Sequence, residues 1–134
     1  MSLRDRKLAT FASAVKRLEE ALGQEKHPGL VGEMMRDAVI QRFEFTFEIA
    51  WKFLRFHLID EGVFREDVAS PKKAVKLAYA NGLIVDGDIW LEMINTRNTL
   101  AHTYNEKEAI KLESAIATNY FDALKGLLEK CIVI

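Results

Sequence analysis

The chain has 134 residues, of which 49% are hydrophobic and 29% charged, and its 19 basic and 20 acidic residues give a formal net charge of -1. We expect a single domain over residues 1–134 with a substantial core. Two prolines and seven glycines argue against a disordered chain. The near-neutral charge excludes attraction of nucleic acid by the surface as a whole, so RNA could be handled only at a local site.

The sequence also argues against membrane insertion and disulfide bonding. No run of about 18 apolar residues is present, and the first 20 residues lack the apolar core of a signal peptide, so we expect a cytoplasmic protein. Cys131 is the only cysteine, which excludes an intrachain disulfide. Its place in the apolar stretch "CIVI" predicts a small buried side chain.

The first two predicted helices carry the strongest periodicity. The first ends at Gly23 and has an apolar stripe at spacings of three and four, formed by Leu8, Phe11, Val15, Leu18 and Leu22. The second, from about Val31 to Glu61, has two apolar rows, formed by Phe43, Phe47, Ala50, Trp51, Leu54 and Leu58 and by Phe45, Ile49, Phe53 and Phe56. Only Glu44, Glu48, Lys52 and Arg55 make a row that is expected to be solvated, and Glu48 precedes Lys52 at the spacing of four that favours an ion pair. A helix with so much apolar surface predicts core on one side and a dimer interface on the other.

Three further helices follow. Ser70 and Pro71 predict the start of a short helix, "PKKAVKLAYA", which Asn81-Gly82 stops. Asp86 or Asp88 caps the fourth, and Asn105 with Glu108 resembles a capping box for the fifth. The core candidates of the fifth are Ile110, Leu112, Ile116, Tyr120, Leu124, Leu127 and Leu128. We therefore predict an all-α fold, an antiparallel four-helix up-and-down bundle with an additional short helix.

The stretch "RNTLAHTY" places four polar side chains on the end of the fourth helix. At about 100° per residue, Arg97 lies in line with Tyr104, and Asn98 in line with His102 on the neighbouring row. A histidine exchanges protons near neutral pH, and an arginine can grip a phosphate with two hydrogen bonds. Such a pair suits attack by an RNA 2′-hydroxyl on its adjacent phosphate without a metal. A hydrogen-bonded helix end is the structural alternative.

No other group of residues predicts a different chemistry. The histidines His27, His57 and His102 are scattered and Cys131 stands alone, so no metal-ligand spacing is present and we expect neither metal nor cofactor. The lysines Lys72, Lys73 and Lys76 make a small basic helix face, which is more often simply solvated.

The chain resembles HEPN-domain proteins, and more closely the nucleotidyltransferase substrate-binding subunits among them. The resemblance rests on "AVIQRFEFTFEIAWKFL" (38–54), "PKKAVKLAYANGLI" (71–84) and "WLEMINTRNTLAHTYNEKEA" (90–109), which contains Arg97-Asn98-x-x-x-His102-x-Tyr104. It implies a HEPN-like helical bundle that forms a homodimer, with a minimal nucleotidyltransferase encoded nearby as its partner.

The same resemblance implies roles for these four residues. In toxins of the family's toxin–antitoxin pairs, the arginine and histidine form a metal-independent ribonuclease site at the dimer cleft. The partner silences the toxin by nucleotidylating the tyrosine. Carried over, Arg97 and His102 are catalytic, Asn98 is their polar companion, and Tyr104 is the modified residue.

Three hypotheses stay open on the sequence. The chain is a toxin-like ribonuclease, or a non-catalytic subunit that binds a nucleotide or substrate in the dimer cleft, or a helical interaction module whose polar cluster only ends a helix.

Overall fold

A computed structural model describes residues 1–100 and 105–133, and every regular element in them is helical. In chain order these are α1 (Leu3–Leu22), α2 (Gly29–Asp60), a 3₁₀ helix (Arg65–Val68), α3 (Pro71–Ala80), α4 (Gly87–Leu100), α5 (Glu106–Ala115), a π-helical segment (Ile116–Tyr120) and α6 (Phe121–Val133). The all-helical prediction is confirmed for this part of the chain. The predicted fifth helix corresponds to α5, the π-helical segment and α6.

Side-chain caps set two of the helix starts that the sequence predicted, those of α3 and α5. Ser70 Oγ accepts a hydrogen bond from the Lys73 amide at 3.2 Å, and Pro71 occupies the first turn, where its missing N–H costs nothing. Asn105 Oδ1 accepts from the Glu108 amide at 2.9 Å. These local interactions explain why α3 has the bounds that the sequence predicted.

The long helix α2 is central, since α1, α3, α5 and α6 all pack against it. The core combines residues from all six α-helices, the π-helical segment and the 3₁₀ helix. Its largest fully buried side chains include Trp90, Tyr120, Phe11, Phe43 and Phe47. All members of the first predicted apolar row of α2 are buried, as expected.

The second apolar row of α2 is divided between the core and the outer surface. Phe53 is buried under α1, with its ring centroid 5.9 Å from that of Phe11. Phe56 is half-buried beside it, and its ring lies 5.3 Å from Lys7 Nζ. The apolar side chains that α2 exposes lie mainly in its N-terminal half instead: Leu30, Val31, Met34 and Phe45.

Two predictions need correction. Ile110 is exposed on α5 and does not join the core. Glu48 and Arg55 are not fully solvated: Glu48 is partly buried, and the Arg55 guanidinium lies 5.1 Å from the Trp51 ring centroid.

Burial of Cys131 is confirmed, and it raises the pKa of the thiol to about 11. Within residues 1–100 and 105–133, no helix is both long and apolar enough to span a membrane.

Candidate functional site

Arg97 projects from the last turn of α4 towards the middle of α2. Its Nη2 lies 2.6 Å from Glu48 Oε2, and its guanidinium carbon lies 5.9 Å from the centre of the Phe47 ring. About a third of the Arg97 side chain stays exposed. The arginine is therefore anchored on one side by an acid and an aromatic ring, with part of its surface open to solvent.

Glu48 holds two cations at once. Its Oε2 has no exposure to solvent and is neutralised by Arg97, whereas its Oε1 lies 3.4 Å from Lys52 Nζ, one turn further along α2. The pair between Glu48 and Lys52 was predicted from their spacing of four. The pair between Glu48 and Arg97 was not, because the two residues are 49 positions apart in the sequence and only the tertiary fold, which brings the end of α4 beside α2, joins them.

An open groove of about 680 Å³ lies beside this ion pair. Its polar walls include three arginines, Arg17, Arg42 and Arg97, and two acids, Glu44 and Glu48. These five groups carry a net charge of +1 when all are ionised. An anion that enters the groove therefore meets guanidinium groups from α1, α2 and α4, which is the local basic surface that the overall charge of -1 conceals.

Arg42 and Glu44 show how the groove is held together and how its charge responds to pH. Arg42 Nη1 donates a hydrogen bond to the backbone carbonyl of Arg17 at 2.6 Å, which ties α2 to α1. Burial raises the pKa of the Glu44 carboxyl, although the nearby Arg97 guanidinium opposes the shift. A carboxylate with a raised pKa takes up a proton more readily, and this would make the groove more positive as the pH falls.

Tyr120 also helps to fix the rotational setting of α4, through hydrogen bonds to two of its side chains. The phenol donates a hydrogen bond to Glu92 Oε1 at 2.8 Å, and Thr96 Oγ1 donates to the phenol oxygen at 3.1 Å. The Tyr120 ring stacks on Phe43 of α2, with centroids 5.3 Å apart. Burial is the main cause of the raised pKa of this phenol. The tyrosine ends the π-helical segment, a form that often marks functional regions.

The other predicted site residues are placed only in part. Asn98 is exposed on the last turn of α4, next to Arg97. His102 and Tyr104 lie outside the described residues. The described side chains therefore establish where the arginine points and what holds it, and sequence reasoning missed Glu48, Arg17 and Arg42 as its surroundings.

Comparisons with known proteins agree with this architecture. A family model described as "Nucleotidyltransferase substrate binding protein like" matches residues 6–132. A Haemophilus influenzae protein named probable ribonuclease HepT is 27% identical over 94 residues, which span 69% of this chain and 64% of that protein's length.

Two solved structures have similar folds. A Thermus thermophilus protein is 34% identical, with a TM-score of 0.70 over 92% of this chain and 96% of its own. A Haemophilus influenzae protein, described as having the fold of a substrate-binding domain of a nucleotidyltransferase, is 25% identical, with a TM-score of 0.83 over 93% of this chain and 98% of its own. The chain therefore belongs to the nucleotidyltransferase substrate-binding family of HEPN-type helical proteins.

Proposed function

We propose that this protein is a toxin-like, metal-independent ribonuclease that works with a minimal nucleotidyltransferase. The anchored Arg97 at an open, arginine-lined groove is the observation that carries the proposal. In the reaction, His102 accepts the proton of an RNA 2′-hydroxyl, whose oxygen attacks the adjacent phosphorus. Arg97 stabilises the charge that develops on the phosphate, and the 5′-oxygen leaves with a proton returned by a histidine.

The functional unit in this proposal is a homodimer whose cleft joins two copies of the site. The exposed apolar side chains of Val31, Met34 and Phe45 support it. Together with the half-buried Ala38 and the exposed Gln41 they follow spacings of three and four, as in a helix–helix seam. Phe45 also lines the groove that contains Arg97. A second copy on this seam would roof the groove and supply the other half of the cleft.

Nucleotidylation of Tyr104 is the proposed means of silencing. The tyrosine is two residues from His102, so a nucleotidyl group on its phenol would add bulk and negative charge beside the catalytic pair. Both effects oppose binding of an RNA phosphate. The intact mass of the protein, expressed with and without the neighbouring nucleotidyltransferase gene, tests this step: an increase by whole nucleotidyl units should disappear in Tyr104→Phe.

Cleavage itself is tested with the unmodified dimer and a mixed-sequence RNA in the presence of EDTA. We expect cleavage by the wild type and by His27→Ala, an exposed-histidine control, and none by His102→Ala or Arg97→Ala. No cleavage by the unmodified protein, or cleavage that survives His102→Ala, would refute the ribonuclease proposal.

A non-catalytic subunit that binds a nucleotide or substrate is the second candidate. The description of the Haemophilus influenzae protein of similar fold favours it. The ion pair favours it too, because an arginine that is already paired with Glu48 can bind a phosphate without taking part in its cleavage. This candidate predicts that Arg97→Ala weakens ATP binding or lowers the activity of the nucleotidyltransferase, while RNA stays intact with every variant.

A further inference from the structure

A second pocket lies at the corner where α3 is followed by α4, separate from the groove of Arg97. It measures about 540 Å³ and lies between the C-terminal half of α3 and the first turns of α4. Asp88 at its edge is nine residues before Arg97, which is roughly 14 Å along the helix axis. The pocket therefore remains available when the groove is occupied.

The apolar wall of this pocket is exposed and fixed in place. Tyr79 and Val85 expose 56% and 81% of their surfaces, and the half-buried Ile89 and Leu91 continue the wall. The Tyr79 ring rests on Gly87, where an added Cβ would lie only 3.0 Å from Cδ2. Because residue 87 is a glycine, the Tyr79 ring can approach the start of α4 closely while much of the tyrosine stays exposed.

The charged groups of the pocket are predominantly acidic. Asp86 and Asp88 line it together with Lys76, which gives a net charge of -1. Among the described residues, no cation forms an ion pair with either aspartate. The backbone carbonyl of Asp86 receives the first amides of α4, from Ile89 and Trp90, so its carboxylate is not needed to build the helix.

These features indicate which kind of partner fits. Two unpaired carboxylates repel the phosphates of a nucleic acid. They also disfavour the same patch of a second copy, because a two-fold interface would set like charges against each other. An exposed aromatic ring beside unpaired carboxylates matches a protein segment that carries a large apolar side chain next to an arginine or lysine.

We propose that this pocket, defined by Tyr79, Val85, Asp86 and Asp88, is the docking site for the nucleotidyltransferase partner. The inference rests on the partner named in the proposed function. A domain of about 100 residues has a radius of gyration of about 13 Å, so a nucleotidyltransferase seated here is wide enough to extend along α4 towards its C-terminal end.

The test measures binding of the purified nucleotidyltransferase encoded beside this gene to the immobilised full chain. Val85→Glu and Asp88→Arg should each weaken the dissociation constant at least tenfold, since they place a charge in an apolar contact and reverse a complementary one. Val133→Glu and Asp122→Arg are matched controls, because Val133 is 82% exposed and Asp122 is an exposed aspartate in the first turn of α6. Both controls should bind within twofold of the wild type.

Each outcome is decisive. Wild-type binding that Val85→Glu and Asp88→Arg leave unchanged, or that the controls weaken equally, would overturn the docking site but not the proposed function. No binding by the wild type would overturn both the docking site and the proposed partner. If Val85→Glu instead separates a homodimer, as measured by light scattering, the pocket is a contact between copies and the inference is wrong.

Discussion

The ion pair between Glu48 and Arg97 should stabilise the fold as well as orient the arginine. The change to make is Glu48→Gln and Arg97→Gln, singly and together, because glutamine keeps much of the side-chain volume while removing the charge. The two side chains expose 31% and 33% of their surfaces, so the pair is neither fully buried nor freely solvated. Its contribution should therefore exceed that of a surface pair.

The distance between Arg97 Nη2 and Glu48 Oε2 sets the size of the electrostatic attraction. At 2.6 Å and an effective dielectric constant of about 20, the Coulomb attraction is roughly 6 kcal/mol. Desolvation of two partly buried ions and ordering of their side chains cancel most of this. Hydrogen bonds between charged groups contribute about 1.5–3 kcal/mol net, and exposed pairs less than about 1 kcal/mol. We expect a coupling free energy of about 1.5 kcal/mol.

The assay is a double-mutant cycle by urea unfolding at neutral pH. A second cycle, with Glu48→Gln and Lys52→Gln, is the internal control, because Lys52 is half exposed and pairs with the same carboxylate at 3.4 Å. Helical pairs of this spacing couple by about 0.3–0.5 kcal/mol. A coupling between Glu48 and Arg97 no larger than that of the control would refute the anchoring argument.

Four other predictions follow from single contacts. Gly32→Ala should lower the free energy of unfolding by about 2 kcal/mol, because the new Cβ would collide with the backbone carbonyl oxygen of His27. Gly126→Ala, where the new Cβ has nothing within 4 Å, should stabilise the protein by about 0.5–1 kcal/mol. Thermal unfolding of the two variants compares these effects. The raised pKa of Glu44 means that its ionised form destabilises the fold, so Glu44→Gln should raise the free energy of unfolding at neutral pH. In acid, where Glu44 is protonated, the urea unfolding curves of the variant and the wild type should converge. Cys131, whose pKa is raised to about 11, should react with a thiol reagent at pH 8 only after unfolding, and native-state labelling would contradict its burial. In the non-cleaving His102→Ala background, Glu48→Gln should strengthen binding of single-stranded RNA several-fold at low salt, since the groove charge changes from +1 to +2. An unchanged affinity in a fluorescence titration would argue against phosphate binding there.

The dimer seam has its own test. Phe45→Cys should form an intermolecular disulfide on mild oxidation if the seam joins two copies near this residue, while the buried Cys131 contributes no background. Lys72→Cys on the exposed face of α3 is the control and should remain reduced. A crosslink at residue 72 in place of residue 45 would place the interface elsewhere.

The start of α3 and the identity of the core were readable from the sequence because local interactions fix them. Ser70 and Pro71 start α3 through a cap and a preset backbone angle. The row from Phe43 to Leu58 is buried because its spacing keeps it on one side of α2. Arg97 and Asn98, the two residues of the polar stretch that the structure describes, lie on the last turn of α4, where the sequence placed them.

The tertiary structure decided which neighbour covers each face and what each charge meets. Phe53 and Phe45 belong to one apolar row, yet α1 covers the first and leaves the second exposed. The periodicity of α2 cannot predict this difference in exposure, because the difference depends on where α1 crosses α2. Arg97 meets Glu48 for the same reason: contacts between residues far apart in sequence depend on how helices pack, whereas caps and stripes depend only on near neighbours.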